Sequence, residues 1–112
     1  MARVRKSENA QSKRKALTVS HRERLIAELR ADRKLAAEYL NAAAEDKDRR
    51  VYIAALRSVA EAKGMATVAK AAGVPRESLY RALSSSGNPR LSTLHAILKA
   101  AGLKLAVERA SK

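Results

Sequence analysis

Apolar residues recur at intervals of three and four along most of this chain, which is the spacing of helices that bury one face. From residue 21 onward this period predicts an all-α fold. The predicted helices cover about 21–31, a segment capped by Asp32, about 49–63, 65–72 and 75–84, and a last segment that ends at Gly102. Ser20 and Glu23 form a capping box at the first of these helices.

The 49–63 helix is predicted to be the scaffold for the helices that follow it. Its inward positions are predicted to be Val51, Tyr52, Ala55, Leu56, Val59 and Ala62. In the helix before it, the apolar stripe is formed by Leu35, Ala36, Tyr39, Leu40 and Ala43. Glu45, Asp46, Lys47 and Asp48 make a polar joint between the two helices.

Two short helices and a tight turn are predicted between residues 65 and 84. The first helix has one apolar stripe and stops at Gly73, a residue suited to the left-handed conformation that ends a helix. Pro75 suits the first turn of the second helix, because its fixed φ is helical and its missing N–H would have no partner there. This pattern is typical of a helix-turn-helix unit that binds DNA.

The second helix of this unit is predicted to have a buried side and a basic outer side. Leu79, Ala82 and Leu83 lie on the buried side, and Arg76, Glu77, Tyr80, Arg81 and Ser84 lie mostly on the other. In a major groove, arginine can bind guanine, glutamate can bind cytosine, and hydroxyls can bind phosphate or a base. The alternative is an ordinary solvated face. For Tyr80 the alternative is a ring folded over Leu83.

The sequence after this unit predicts a loop at 84–89, a further helix and a short strand. In the stretch LKLAVER, Leu103, Leu105 and Val107 alternate with more polar residues, which is the period of a strand. A lone strand is marginally stable, so we expect it to pair with its copy in a second subunit.

The net charge of +13 is unevenly distributed along the 112 residues. Residues 1–20 carry +5, residues 21–48 carry −1, and residues 49–112 carry +9. The excess of Lys and Arg therefore falls on the helix-turn-helix unit and on the first residues, which favours a polyanion such as double-stranded DNA as partner. We expect residues 1–18 to form a flexible basic arm that either reaches DNA or is only solvated. The predicted organisation is the arm, an N-terminal helical segment at 19–47 and a DNA-binding domain at 48–109.

Other kinds of chemistry lack candidate residues. The absence of Cys excludes disulfides, redox chemistry and thiolate metal sites. With no apolar stretch of about 20 residues and no secretion signal, we expect a cytoplasmic protein without a membrane segment. His21 and His95 have no partners at ligand spacing, and the acids at 45–48 are expected to be helix caps, so no metal is predicted. The serine run 84–86 has no base beside it. We therefore expect neither a cofactor nor an enzyme.

The order of these helices, with the loop GNP, resembles the Xre or lambda-repressor-like helix-turn-helix domains. The stretches AAEYLNAA, ALRSVAEAKGM, RESLYRALS, GNP and LKAAGLKL are more closely similar to probable addiction-module antidote proteins. The likeness runs from about Arg22 to Val107. It implies a five-helix repressor-like bundle, here preceded by a short helix, together with operator binding and, in many relatives, a small toxin of the RelE or ParE type. The DNA-contacting positions that it implies are Pro75, Arg76, Glu77, Ser78, Tyr80 and Arg81, to which we add Ser84, Asn88 and Arg90.

From these features the sequence favours a transcriptional regulator that acts as a dimer on an inverted repeat in DNA. One alternative is an antitoxin whose main function is to bind a toxin. Toxins of this type are usually basic, so such a partner would fit a +13 chain only if the nearly neutral segment 21–48 supplied the contact. The second alternative is a non-specific architectural or RNA-binding protein.

Overall fold

A computed structural model describes residues 21–110, and all the regular secondary structure within them is helical. Helix α1 covers 21–31, and the helices after it are α2 (Arg33–Ala44), α3 (Arg49–Lys63), α4 (Met65–Ala72), α5 (Arg76–Ala82) and α6 (Leu91–Ala100). The predicted all-α bundle with a helix-turn-helix arrangement is confirmed. None of the described helices is both long and apolar enough to cross a bilayer.

Two aspartates begin α2 and α3. The Asp32 carboxylate accepts hydrogen bonds from the backbone N–H groups of Lys34 (3.0 Å) and Leu35 (3.2 Å). Asp48 accepts one from the N–H of Arg50 at 2.9 Å. Each carboxylate satisfies N–H groups that have no partner inside the helix. The predicted capping function is confirmed at Asp32 and Asp48, whereas Ser20 lies outside the described residues.

The core is built from medium-sized and small aliphatic side chains around α3. Its largest fully buried residues are Leu56, Val59, Val68, Leu79, Leu83 and Ile97. Helix α3 packs against α2, α4 and α6, and alanines such as Ala60 fill the positions between the larger side chains. Leu29 of α1 and Leu40 of α2 belong to the same core. The division of the chain at residues 47 and 48 stays a prediction.

Polar contacts attach α1 to α3. The Arg22 guanidinium donates to the Ser58 hydroxyl at 3.0 Å and pairs with the Glu61 carboxylate. Near the other end of α1, Arg30 Nε donates to the carbonyl oxygen of Ala62 at 2.7 Å. Together with buried Leu29, these bonds fix the first helix along the scaffold.

The prediction that Val51 faces inward is wrong. Val51 lies in the first turn of α3 and is 39% exposed, because no neighbouring helix covers that turn on its side. Ile53, Ser58 and Ala60 are buried instead, in addition to most of the predicted stripe. Since several helices pack around α3, its buried surface is wider than the single stripe that the period predicts.

The predicted strand does not form in the single chain. Residues 103–110 are in neither a helix nor a strand, since the described part of the chain has no strand to pair with them. The backbone N–H of Leu103 instead donates to the carbonyl of Leu98 at 2.7 Å, just after the end of α6. Helix α6 itself ends at Ala100, two residues before the predicted Gly102.

Candidate nucleic-acid interface

Gly73 ends α4 as the sequence predicts, whereas the prediction that Pro75 lies in the first turn of α5 is wrong, because its backbone is extended. Gly73 has φ 71°, a left-handed conformation that glycine adopts without steric cost. The N–H of Val74 then returns to the carbonyl of Ala69 at 3.0 Å. Pro75, with φ −64° and ψ 151°, occupies the N-cap of α5. This three-residue turn sets α5 against α4, and α5 is shorter at both ends than the predicted 75–84.

The two sides of α5 are divided as the sequence predicts. Leu79 and Leu83 are fully buried in the core, and Ala82 is half-buried beside them. The outward side carries the exposed residues Arg76, Glu77, Tyr80 and Arg81. Leu79 and Leu83 therefore hold a short helix whose outer surface is polar and cationic.

The structure brings most of the predicted DNA-contacting residues together in two neighbouring groups. One open depression on α5 is lined by Pro75, Arg76, Glu77 and Tyr80. A separate cleft, between the α4–α5 turn and the start of α6, includes Ser78, Asn88 and Arg90 in its lining. Arg81 and Ser84 line neither.

The hydroxyl of Ser84 already has a local partner. Its Oγ donates to the carbonyl oxygen of Arg81 at 2.8 Å, just after α5 ends. Ser84 is half-buried, whereas Arg81 is exposed. The bond uses the hydroxyl proton, so Ser84 could offer DNA only its oxygen as an acceptor.

A residue that the sequence did not point to holds the loop containing Asn88. The Arg49 guanidinium donates to the carbonyl oxygen of Gly87 at 3.0 Å and to Asn88 Oδ1 at 3.3 Å. The donor and the acceptors are almost forty positions apart, so no local pattern could have predicted the contact. Arg49 thereby links the first turn of α3 to one end of the cleft that contains Asn88 and Arg90.

Tyr80 has a cationic neighbour that the sequence did not indicate either. The Arg57 guanidinium lies over the Tyr80 ring, 5.7 Å from its centre, and Arg57 Nε also donates to Glu61 Oε2 at 3.3 Å. Tyr80 remains 36% exposed. The ring is therefore held from one side by Arg57 while part of it still faces solvent.

The polar joint before α3 contains a perturbed carboxyl group. The Arg50 side chain donates to both oxygens of Asp48, and with the Arg50 backbone N–H it lowers the pKa of this carboxyl from 3.8 to about 2. Asp46 Oδ1 in turn accepts from the N–H of Asp48 at 2.8 Å. Asp48 thus caps α3, and Asp46 binds the backbone N–H of this capping residue. Within residues 21–110, no three His, Asp or Glu side chains are grouped as metal ligands would be.

Comparison with known proteins places this arrangement in a family. Residues 21–109 match the family described as "probable addiction module antidote protein". The chain belongs to this family. It is also 37% identical over 71 residues to an uncharacterized protein of Haemophilus influenzae strain Rd, an alignment that covers 63% of this chain and 73% of the relative. No solved structure matches the chain.

The family match changes the balance between the functions that the sequence suggested. The antidote family spans all six helices and the segment after them, so it includes the helix-turn-helix unit as well as α1 and α2. The sequence favoured a regulator over an antitoxin. Membership in the antidote family supports the antitoxin alternative better than the regulator, and it indicates a toxin as partner.

Proposed function

We propose that this chain is the antidote of a toxin–antidote pair, acting by binding proteins and DNA and not as an enzyme. The observation that carries the proposal is the match of residues 21–109 to the antidote family. The test is to express a small protein that is encoded beside the gene for this chain, once alone and once together with this chain. Growth arrest by the small protein, relieved by this chain, and co-purification of the two would support the proposal. A neighbour that is harmless and does not bind would overturn it.

We further propose that α1 and α2 provide the surface for the toxin. Residues 21–48 carry six Lys or Arg and seven Asp or Glu, whereas the rest of the chain is strongly basic, so a basic toxin would meet least repulsion here. The exposed acids Glu28 and Glu38 lie on these helices. Glu28→Lys and Glu38→Lys should each weaken toxin binding, while the charge-matched control Glu77→Lys on α5 should leave it unchanged. Equal effects would place the toxin elsewhere.

A second proposed function is specific binding of double-stranded DNA, through which the chain represses transcription. It is supported by the exposed Arg76, Tyr80 and Arg81 on a short helix supported by α4. The test is selection of bound duplexes from random DNA at near-physiological salt. A motif preferred by at least about a thousandfold over scrambled DNA would support specific recognition. Binding without a motif would favour the non-specific architectural alternative.

The DNA-binding form is proposed to be a homodimer on an inverted repeat. Two recognition helices related by a two-fold axis would enter successive major grooves about 34 Å apart. A palindromic motif with that half-site spacing would support a dimer, whereas a single unrepeated half-site would indicate that one chain binds alone.

A further inference from the structure

The segment of residues 103–109 leaves α6 with an alternating side-chain pattern and little cover. Leu103 packs against the core, Leu105 is 46% exposed and Val107 is 96% exposed. The residues that alternate with them are Lys104, Ala106 and Glu108, all exposed. One side of the segment is therefore apolar although most of it faces solvent.

The backbone of this segment is also free to form a ladder. After the N–H of Leu103, no backbone group of residues 104–110 bonds to the backbone of another described residue. Unpaired N–H and C=O groups in a row, next to an alternating apolar face, are the properties of an edge strand that another strand can extend. Because the segment is complementary to itself, a second copy of this chain fits it.

We infer that residues 103–109 of two chains pair as an antiparallel β-ribbon whose two-fold axis passes at Ala106. In this register Lys104 lies opposite Glu108 of the second copy, and Leu105 lies opposite Val107 of the second copy. Both contacts occur twice, so the ribbon has two ion pairs and two apolar pairs. A shift by two residues in either direction keeps some apolar contacts but removes both ion pairs, so the ion pairs select this register.

Charge favours the two-chain arrangement over contacts within one chain. Lys104 and Glu108 form no salt bridge with another described residue. In one extended segment they lie about 14 Å apart, too far to pair with each other. Across an antiparallel ribbon, opposite residues have their Cβ atoms about 4.5–5.5 Å apart, so each charge meets its counterpart.

The apolar side of the ribbon has a surface on which to pack. Leu103 and Leu105 line a cleft together with Leu40, Tyr52 and Leu98, and Lys104, Ala106 and Glu108 line it as well. Val107 of the second copy, opposite Leu105, would extend the apolar cover over this cleft. A two-stranded ribbon is marginal alone, and packing on the helices supplies the burial that it lacks. The inference rests on the proposed dimer and supplies its interface.

Single-cysteine variants test the register directly, because the chain has no Cys of its own. In Ala106→Cys the two Cα atoms are about 4.5–5.5 Å apart, within the range of a disulfide. In the matched control Lys104→Cys, on the same side of the ribbon, they are about 14 Å apart. Mild oxidation should therefore link Ala106→Cys into a dimer and leave Lys104→Cys unlinked. Linking at Leu105→Cys or Val107→Cys instead would overturn the register.

Charge reversal tests the same pairs without a covalent bond. Lys104→Glu and Glu108→Lys each place like charges opposite one another twice, so each should raise the dimer dissociation constant by roughly five- to thirtyfold. The double variant Lys104→Glu/Glu108→Lys restores opposite charges and should return the constant to within about twofold of the original. Sedimentation equilibrium, without DNA or toxin, measures this dissociation constant for the original chain and the three variants. Additive weakening in the double variant would overturn the inference.

These measurements separate the interface from the proposed functions. A chain that is monomeric throughout would overturn both the ribbon and the proposed dimer. A dimer that neither links at Ala106→Cys nor responds to charge reversal would overturn the ribbon alone. Toxin rescue and DNA selection are measured independently, so their failure would leave the ribbon standing.

Discussion

The guanidinium carbon of Arg57 lies 5.7 Å from the centre of the Tyr80 ring, so a cation on α3 faces an aromatic ring on α5. The negative face of an aromatic ring attracts a cation at this distance. The contact joins the scaffold to the outer surface of the proposed recognition helix. It also limits the directions in which the Tyr80 ring can point.

A double-mutant cycle should detect this contact as a coupling. Arg57→Met keeps most of the aliphatic stem and removes the charge, and Tyr80→Leu removes the ring. We expect a coupling of about 0.5–1 kcal/mol in the free energy of unfolding, the size found for exposed cation–π pairs. Urea denaturation of the four proteins measures it. Additive effects would show that the contact contributes nothing to stability.

Loss of one arginine on α5 should weaken specific DNA binding. If its side chain binds guanine through two hydrogen bonds, Arg76→Ala or Arg81→Ala should cost about 1–3 kcal/mol in operator affinity and relax specificity at one base pair. Arg24→Ala is the matched control, because it removes the same charge from an exposed position on α1. A titration with the duplex selected from random DNA measures the operator affinity of the three variants. Equal losses in the three variants would indicate only a general charge effect.

Gly87 should not tolerate a side chain. A Cβ at this buried position would overlap the backbone carbonyl groups of Ala82 and Arg81, which cannot move without displacing the end of α5. We expect Gly87→Ala to lower the free energy of unfolding by about 1–3 kcal/mol, as overpacking does elsewhere. Ser86→Ala, an exposed change in the same loop, should stay within about 0.5 kcal/mol. Thermal unfolding followed by circular dichroism compares the stability of the two variants. A Gly87→Ala variant as stable as the original chain would contradict the close packing around Gly87.

Acid should remove the contribution of Asp48 to stability. Its pKa is lowered in the folded chain from 3.8 to about 2, so the ionised carboxyl favours folding. This contribution is complete above about pH 4, falls as the pH drops from there to about 2, and is absent below. Asp48→Asn should therefore be less stable than the original chain at pH 6, and this difference should vanish near pH 2.

The control for that experiment is Glu45→Gln. Glu45 precedes the same helix and makes no salt bridge with a described residue. Its effect on unfolding should be small at both pH values. A difference between Asp48→Asn and the original chain that persists unchanged to pH 2 would show that the Arg50 pair does not depend on the charge of the carboxyl.

Local signals in the sequence predicted much of the fold. Gly73 and Pro75 mark the turn because each is suited to one backbone conformation, and Asp48 marks a helix start because its carboxylate can bind free N–H groups. The buried and exposed sides of α5 follow from the helical period alone. These features depend on residues within a few positions of one another.

Contacts between distant residues could not be predicted in the same way. Arg49 reaches Asn88, and Arg57 reaches Tyr80, only because the fold brings α3 next to the loop before α6 and next to α5. The helical period of apolar residues also predicted wrongly that Val51 is buried, because the neighbouring helices decide which side of α3 is covered. The strand was expected to pair with a second subunit, and one chain does not supply the second strand that a ladder needs.

Helix α3 touches both halves of the molecule, since it packs against α2 on one side and against α4 and α6 on the other. Between the proposed toxin surface on α1 and α2 and the proposed operator surface on α5, α3 is one packed connection, which reaches α5 through the contact of Arg57 with Tyr80. Thermodynamic linkage makes any such coupling reciprocal. Whatever factor the toxin applies to operator affinity, the operator applies to toxin affinity, so the amount of free toxin would be set partly by how much DNA is occupied.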